Sequence, residues 1–132
     1  MDDPIKQQLI DSALDARSNA YAPYSKFQVG AAVLANDGTI TTGANVESVS
    51  YGLTICAERV AAAAAIAAGQ RELLAVAIAS SGAAPPCGAC RQFLAEFGSN
   101  MDVLLVDAEN PQHVIETTLA KLLPEQFKIE KK

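Results

Sequence analysis

Large side chains are scarce in this 132-residue chain, which has no tryptophan, one histidine, three tyrosines and four phenylalanines. Half of the residues are nevertheless hydrophobic, and 25 of these are alanine, so the core must be built from small side chains in close contact. The length predicts a single domain over 1–132. Because a short chain with few large core residues gains by burying surface against copies of itself, we expect a homo-oligomer.

The sequence also lacks clustered positive charge and long apolar runs. Its formal net charge is −5, whereas nucleic-acid-binding proteins cluster Lys and Arg, so nucleic acid is not an expected partner. The longest apolar run, 60–68, has nine residues, and a membrane-spanning helix needs about 20. The first residues are acidic and resemble no secretory signal, so we predict a cytoplasmic protein that does not enter a membrane.

Hydrophobic periodicity and turn residues predict an ordered series of helices and strands. A hairpin comes first, around an Asn36-Asp37-Gly38 turn, and the later strands alternate with helices. This order predicts an α/β fold, a three-layer α/β/α sandwich with a mixed β-sheet. We expect helices over 4–20, 56–68, 87–97 and 118–122, and strands over 27–35, 39–46, 73–80, 102–106 and 113–117.

The three cysteines are spaced as metal ligands, and three of the few charged residues in this part of the chain lie close to them. Only seven charged residues occur between 27 and 95, and Glu58 is one of three that lie within three residues of a cysteine. Cys87 and Cys90 share one face of the first turn of a predicted helix, and Cys56 opens another. Helix N-termini favour thiolates. Three thiolates leave the fourth position of a tetrahedral zinc open for water, as in a catalytic site.

Other interpretations of these residues remain open. A Cys-x-x-Cys pair alone also fits a redox dithiol or half of a closed structural zinc site. A closed site needs a fourth ligand, and the one histidine, His113, falls in a weak strand far along the chain. Glu58 also fits a solvated carboxylate in a first helical turn, where acidic residues are common.

Taken together, the motifs resemble the zinc-dependent cytidine deaminases of the small homotetrameric three-cysteine type. The cysteine and glutamate motifs alone would also fit deaminases of bases, nucleotides or an aminonucleoside antibiotic. The Asn45-Val46-Glu47 segment and the phenylalanines favour a free nucleoside. The resemblance covers nearly the whole chain, through segments 21–32 (YAPYSKFQVGAA), 43–47 (GANVE), 51–59 (YGLTICAER), 86–92 (PCGACRQ) and 122–127 (LLPEQF).

The resemblance implies hydrolytic deamination of cytidine and deoxycytidine to uridine and deoxyuridine, a reaction of pyrimidine salvage. Zn²⁺ on Cys56, Cys87 and Cys90 would lower the pKa of a bound water. Glu58 would take the proton of that water and pass it to N3 of cytosine as C4 is attacked. The same resemblance assigns Arg59 to hydrogen bonds with the ligand sulfurs, the alternative being a surface salt bridge.

Five further residues are implied as substrate contacts. Phe27 resembles the family's base-stacking residue, although a place in the core of a strand would also explain it. Asn45 and Glu47 alternate along a strand end, so both face one side and are implied as partners of the ribose 3′ hydroxyl. Tyr51 and Phe127 resemble residues that reach a neighbouring subunit's pocket in a homotetramer.

Two features leave choices open. Arg91 fits a role beside the ligand sulfurs or a plain surface position. Residues 48–50 (SVS) depart from the family, which commonly has Asn and small residues there, and this affects the expected sugar contacts.

The competing functions are deamination of a related aminopyrimidine nucleoside, such as a blasticidin-like antibiotic, and a non-catalytic zinc-stabilised module. Glu58 argues against the latter, because a structural site has no use for a carboxylate beside an open position.

Overall fold

The apolar runs of the sequence form a single sheet, and the amphipathic segments form helices that cover it. The computed structural model describes residues 1–131. Short 3₁₀ turns at Arg17–Asn19 and Tyr51–Leu53 complete the regular structure of these residues. The strands are β1 (Gly30–Ala35), β2 (Ile40–Ala44), β3 (Leu73–Ser80), β4 (Asp102–Asp107) and β5 (Val114–Thr118), and the helices are α1 (Asp3–Ala16), α2 (Ala57–Ala67), α3 (Gly88–Ala95) and α4 (Leu119–Leu122).

The sheet is mixed, with the strand order β2-β1-β3-β4-β5. β3 and β4 are parallel, with Ala77 opposite Leu104, and every other neighbouring pair is antiparallel. All six residues of β1 are buried, as expected for a strand whose two faces are both covered.

Helices lie on both faces of the sheet and divide the core in two. On one face, α1 contributes Leu9, Ile10 and Ala13 to a cluster with alternate residues of β1 and β3. On the other face, α2 and α3 pack against the remaining alternate residues, with Ala61 and Leu94 both fully buried. The predicted three-layer α/β/α sandwich with a mixed sheet is therefore confirmed.

Two glycines allow helix backbones to lie directly on the sheet. A Cβ atom on Gly30 would come 2.1 Å from the carbonyl oxygen of Ala13 in α1. A Cβ atom on Gly43 would come 2.4 Å from the backbone nitrogen of Ala61 in α2. No side chain can be accommodated at either contact, so the positions of α1 and α2 on the sheet are fixed by backbone atoms.

We expect Gly30→Ala to destabilise the fold by about 1–3 kcal/mol or more, because the added methyl group overlaps backbone that cannot rotate away. The matched control is Gly52→Ala, whose methyl group would meet nothing within 4 Å. Chemical denaturation measures the free energy of unfolding of both variants. Equal stability of Gly30→Ala and the unmodified chain would contradict the packing described here.

The structure corrects the predicted ends of four elements, and two of these, β2 and α3, end two residues earlier than predicted. The helix expected over 4–20 ends at Ala16, and its N-cap is Asp2, whose Oδ1 accepts a hydrogen bond from the Ile5 N–H at 3.0 Å. The strand expected from 27 begins at Gly30. Just before it, one N–H and one carbonyl group of the backbone bond to the Asn45 side chain instead of to the backbone of a neighbouring strand.

No helix within residues 1–131 combines the length and the apolar character needed to span a lipid bilayer.

Candidate active site

The N-termini of α2 and α3 meet at one end of the sheet, and each begins with a cysteine. Cys56 is the N-cap of α2 and Cys87 is the N-cap of α3, both with extended backbone angles. Neither thiol caps its own helix by a hydrogen bond, so both sulfurs remain available to a ligand. Cys90 follows in the first turn of α3 and is fully buried.

The three sulfurs are close enough to bind one ion. Cys87 Sγ lies 3.8 Å from Cys56 Sγ and 3.4 Å from Cys90 Sγ, and all three sulfurs lie within 4.8 Å of one another. Tetrahedral zinc with Zn–S bonds of about 2.3 Å requires sulfurs about 3.8 Å apart. Thiolates are ligands that suit zinc, so the donor set and its spacing fit Zn²⁺ as the cofactor. Cys87 is exposed, which leaves one side of this cluster accessible.

The cluster already favours a thiolate. Hydrogen bonds from Cys90 and Cys87 and the neighbouring charge of Arg59 together lower the pKa of Cys56 to about 5, although partial burial opposes this. The shared hydrogen bond with Cys56, together with burial, raises the pKa of Cys90. A negative charge is thus stabilised at the point where a metal ion needs one.

Glu58 lies beside these sulfurs in the first turn of α2. Its side chain is buried, with 4% exposure, and it lines the same cavity as Cys56 and Cys87. Burial raises the pKa of Glu58 to about 7, although its own backbone N–H and Cys90 partly stabilise the ionised form. A carboxyl group with this pKa can both accept and donate a proton near neutral pH. A fully solvated carboxylate, the alternative left open by the sequence, does not describe this residue.

Arg59 points back across the N-terminus of α2. Its Nη2 donates a hydrogen bond to the carbonyl oxygen of Thr54 at 3.2 Å, and its Nε is buried without a partner among residues 1–131. Burial opposes the charge of the guanidinium, but the neighbouring sulfurs of Cys56 and Cys90 raise the pKa of Arg59. The ion pairs found within residues 1–131 are Lys6–Glu116 and Lys131–Glu96, so Arg59 forms no surface salt bridge there.

A cavity of about 260 Å³ opens in front of the cysteines and Glu58. This volume is slightly below the roughly 300 Å³ at which pockets for drug-sized ligands begin, so it suits a small molecule. The sequence-predicted residues that line it are Phe27, Asn45, Glu47, Tyr51, Cys56, Glu58 and Cys87.

Sequence reasoning missed several other lining residues, among them Ser25, Ile78, Ser80, Ala84 and Pro85. One signal was available for Ser80. It ends β3, and ligands of α/β proteins bind beyond the carboxyl ends of parallel strands. Ser25 and the 84–85 segment carry no such signal, because only the folded loops bring them to the cavity.

Glu47 is a buried carboxylate whose partners come from its own chain. Its Oε1 accepts hydrogen bonds from the backbone N–H groups of Tyr24, at 2.9 Å, and Ser25, at 3.2 Å. Its Oε2 accepts from the Ser25 hydroxyl and, at 3.4 Å, from the Tyr51 hydroxyl. These hydrogen bonds, the Ser25 hydroxyl first, hold the pKa of Glu47 below its usual value. The carboxylate therefore stays ionised and fixes the loop that leads to Phe27.

Asn45 holds the same loop from its other end. Its Nδ2 donates to the carbonyl oxygen of Phe27 at 2.9 Å, and its Oδ1 accepts from the Val29 N–H at 3.0 Å. The side chain of Phe27 is 42% exposed, so it is not a strand-core residue, and it faces the cavity. One N–H of the Asn45 amide remains for another acceptor, since the amide group has two.

The structure does not bring Phe127 to this cavity within one chain. The Phe127 side chain is 71% exposed and lies along a separate groove beside α3, where Gln92 Nε2 donates to the Phe127 carbonyl oxygen at 3.3 Å. Tyr51, by contrast, lines the cavity of its own chain.

The family model and the curated proteins that match this chain point to the same family. Residues 4–106 match the model of the cytidine and deoxycytidylate deaminase zinc-binding region. The chain is 45% identical to a cytidine deaminase of Halalkalibacterium halodurans over 128 residues, covering 95% of this chain and 96% of that protein. It is 48% identical to a cytidine deaminase of Sporosarcina psychrophila over 124 residues, covering 92% and 90%.

The solved structures that resemble this chain are cytidine deaminases as well. The crystal structure of cytidine deaminase from Burkholderia pseudomallei has a TM-score of 0.87 at 45% identity, covering 92% of this chain and 98% of that chain. The crystal structure of cytidine deaminase from Mycobacterium tuberculosis has a TM-score of 0.80 at 41% identity, covering 94% and 98%.

Proposed function

The chain belongs to the cytidine and deoxycytidylate deaminase zinc-binding family, and from this premise we propose how its residues carry out the zinc-dependent hydrolysis of cytidine. The reaction consumes water and replaces the C4 amino group with oxygen, which gives uridine and ammonia. The observation that carries the assignment is the meeting of three cysteine sulfurs and buried Glu58 at one cavity. We propose that deoxycytidine is also a substrate.

We propose that Glu58 moves the protons of this reaction. When bound by Cys56, Cys87 and Cys90, Zn²⁺ supplies Lewis acidity that lowers the pKa of water to near 7. Glu58 accepts a proton from the attacking water and donates it to N3 of cytosine, then assists departure of ammonia from C4. The pKa of Glu58, about 7, suits both directions of transfer.

In the proposed mechanism, Arg59 offsets part of the negative charge of the cysteine ligands. Three thiolates and one Zn²⁺ sum to −1, which weakens the ion as a Lewis acid. The guanidinium of Arg59 lies close enough to Cys56 and Cys90 to withdraw some of that negative charge.

We propose that Phe27 stacks on the pyrimidine, and that Asn45 and Glu47 bind the ribose. The exposed ring of Phe27 faces the cavity, and aromatic stacking suits a flat base. The 3.4 Å contact of Glu47 Oε2 with Tyr51 is long for a hydrogen bond between oxygens, so a ribose hydroxyl can take that position. The same carboxylate then orders the protein loop and the sugar.

The direct test of this function is the loss of ultraviolet absorbance when the purified protein is added to cytidine. We expect uridine and ammonia in equal amounts, and a preparation stripped of metal by a chelator serves as the control. Turnover of a blasticidin-like aminopyrimidine nucleoside without turnover of cytidine would favour the alternative substrate. Absence of any deamination by zinc-loaded protein would favour a non-catalytic zinc module.

Nucleoside monophosphates should be poor substrates. The cavity contains the ionised Glu47, and neither Lys nor Arg is among its lining residues in the described part of the chain. A 5′ phosphate would therefore lack a cationic partner and be repelled by Glu47. We expect kcat/KM for cytidine 5′-monophosphate to be at least about 10-fold below that for cytidine, equivalent to about 1.4 kcal/mol. Equal values would contradict the proposed orientation of the sugar.

We also propose a homotetramer in which Phe127 closes a neighbouring subunit's cavity. α2 has an unpartnered apolar face that includes Ala63, Ala64 and Ala67, all exposed in the single chain. The side chains of Val49 and Phe127 are 84% and 71% exposed. Exposed apolar surface of this kind is typical of an interface between subunits.

Subunit mixing tests the shared site. We expect Phe127→Ala to raise KM for cytidine and to leave zinc content unchanged. Mixing Glu58→Gln chains with Phe127→Ala chains under subunit exchange should then form some cavities with both original residues and restore activity above that of either variant alone. Full activity from a sedimenting monomer, or no recovery despite demonstrated exchange, would refute the arrangement.

The proposed function also includes the domain organisation, the cellular location and the metabolic role of the chain. We propose that residues 1–132 form one domain that acts in the cytosol, where a reducing environment keeps three thiols available for metal. Its role there would be pyrimidine salvage.

A further inference from the structure

Arg91 is partly buried and its guanidinium bonds to two separate parts of the backbone. Nε donates to the carbonyl oxygen of Pro86 at 2.8 Å, and Nη1 donates to the carbonyl oxygen of Leu122 at 2.8 Å. Neither acceptor is a carboxylate, so the contacts are not a surface ion pair. The sequence had left a plain surface position open for Arg91, and these two short hydrogen bonds argue against it.

The first acceptor belongs to the turn that carries a zinc ligand. The Pro86 carbonyl is part of the peptide group that leads into Cys87, the N-cap of α3. Proline has no N–H group, so its carbonyl oxygen is the single backbone group by which this buried residue can be held through a hydrogen bond. The bond from Arg91 therefore fixes the peptide plane from which the Cys87 side chain projects.

The second acceptor begins the segment that carries Phe127. Leu122 ends α4, and carbonyl groups at the end of a helix have no partner within that helix. Beyond it the chain turns through Glu125, whose φ of 52° is left-handed. The segment is held again at Phe127, whose carbonyl accepts from Gln92. Neighbouring residues of α3 thus bind both ends of the 122–127 segment.

We propose that Arg91 is a positioning residue that joins the Cys87 turn to the segment bearing Phe127. The inference rests on the proposed function in one respect: if Phe127 closes a neighbour's cavity, Arg91 links the metal turn of its own subunit with the substrate cover of the next. A displacement at either carbonyl is passed through the rigid guanidinium to the other.

Arginine is suited to this link and lysine is not. The guanidinium presents five N–H donors in a fixed planar fork, so Nε and Nη1 can serve two acceptors in different directions. Lysine places all of its donors on one terminal nitrogen. Arg91→Lys therefore keeps the charge but can reach one of the two carbonyl groups, whereas Arg91→Met keeps the aliphatic stem and loses both hydrogen bonds.

The experiment uses two readings that do not depend on catalysis. Because the chain has no tryptophan, Phe127→Trp introduces a single fluorescent reporter whose steady-state anisotropy follows the mobility of the 122–127 segment. The rate of zinc release to an excess of a metal-binding dye follows the Cys87 turn. Both are measured on the zinc-loaded protein carrying Phe127→Trp, alone and combined with each variant, with circular dichroism as the check on folding.

We expect Arg91→Met to speed zinc release by about 10-fold or more and to lower the anisotropy, since partners that orient metal ligands typically affect metal affinity by 10–100-fold. In Arg91→Lys, at most one of the two quantities, the rate of zinc release or the anisotropy, should equal that of the protein that keeps Arg91. The matched control is Gln92→Ala, which loses the bond to Phe127 and should lower the anisotropy while changing zinc release less than about 2-fold.

Three results would overturn the proposal: no change in either reading with Arg91→Met, a change in one reading alone, or zinc release from Gln92→Ala as fast as from Arg91→Met. If Arg91→Met does not fold, Arg91→Lys carries the test and at least one reading must change. A protein that fails to deaminate cytidine but shows both changes would refute the proposed function and leave the link intact.

Discussion

Replacing Glu58 by glutamine should reduce kcat for cytidine by at least about 10²-fold, the lower limit for the loss of general acid–base catalysis. Glutamine has the shape of glutamate but cannot accept the proton of water or return it to the base. Because Glu58 is buried in the first turn of α2, the isosteric change should leave the fold and the zinc content unaltered. Ultraviolet assay of turnover and elemental analysis of zinc measure the two quantities on the same sample.

The matched control for this variant is Glu72→Gln, which makes the same chemical change at an exposed position outside the cavity. It should have the kcat of the unmodified enzyme. Near-normal turnover by Glu58→Gln with one zinc bound would show that another group carries the proton, and the mechanism would have to be abandoned.

The second large effect is expected from Cys87→Ser. Serine replaces a thiolate by a hydroxyl that does not ionise near neutral pH, so a three-ligand site retains two sulfurs and loses most of its affinity for zinc. We expect zinc to fall from about one per chain to a small fraction of that, with turnover falling in parallel. The thermal midpoint should also fall, because an ion that binds only the folded state stabilises it.

The control is Ala89→Ser, which adds a hydroxyl to an exposed residue of the same turn without touching a ligand. Its zinc content should stay near one per chain. Full zinc retention in Cys87→Ser, or a stoichiometry of one zinc per two unmodified chains, would be incompatible with the three-cysteine assignment.

Most of the site was predictable because its residues occupy positions that local rules specify. The strand at 73–80 was predicted to the residue, since its apolar run, 73–79, follows two charged residues and is succeeded by two serines and a glycine. Cys56 and Cys87 were predicted at helix starts, and both are N-caps. The spacing of Cys87 and Cys90 then determined which side chains could meet, because residues three apart share a helical face.

The features of the fold and of the site that could not be predicted depend on contacts between distant segments of the chain. β1 starts three residues later than predicted because the Asn45 side chain bonds to the backbone on either side of 28, and periodicity carries no trace of such a bond. The partners of Glu47 are backbone N–H groups, which every residue but proline possesses. The contact of Arg91 with Leu122 spans 31 residues and ends on a carbonyl oxygen. Acceptors of this kind have no sequence signature.

The contact of Gly43 with Ala61 limits where the sequence of this fold can change during evolution. Backbone meets backbone there, one turn after the start of the helix that Cys56 begins, so a larger side chain at position 43 would displace the metal ligand with it. The loops at 21–27 and 81–86, which border the cavity, are held through hydrogen bonds of their backbone groups with Glu47, Asn45 and Arg91, and such bonds leave most of the loop side chains free to change. Mutations can therefore accumulate in the loops and change which nucleoside is accepted, while the glycine preserves the hydrolytic chemistry that all of those substrates share.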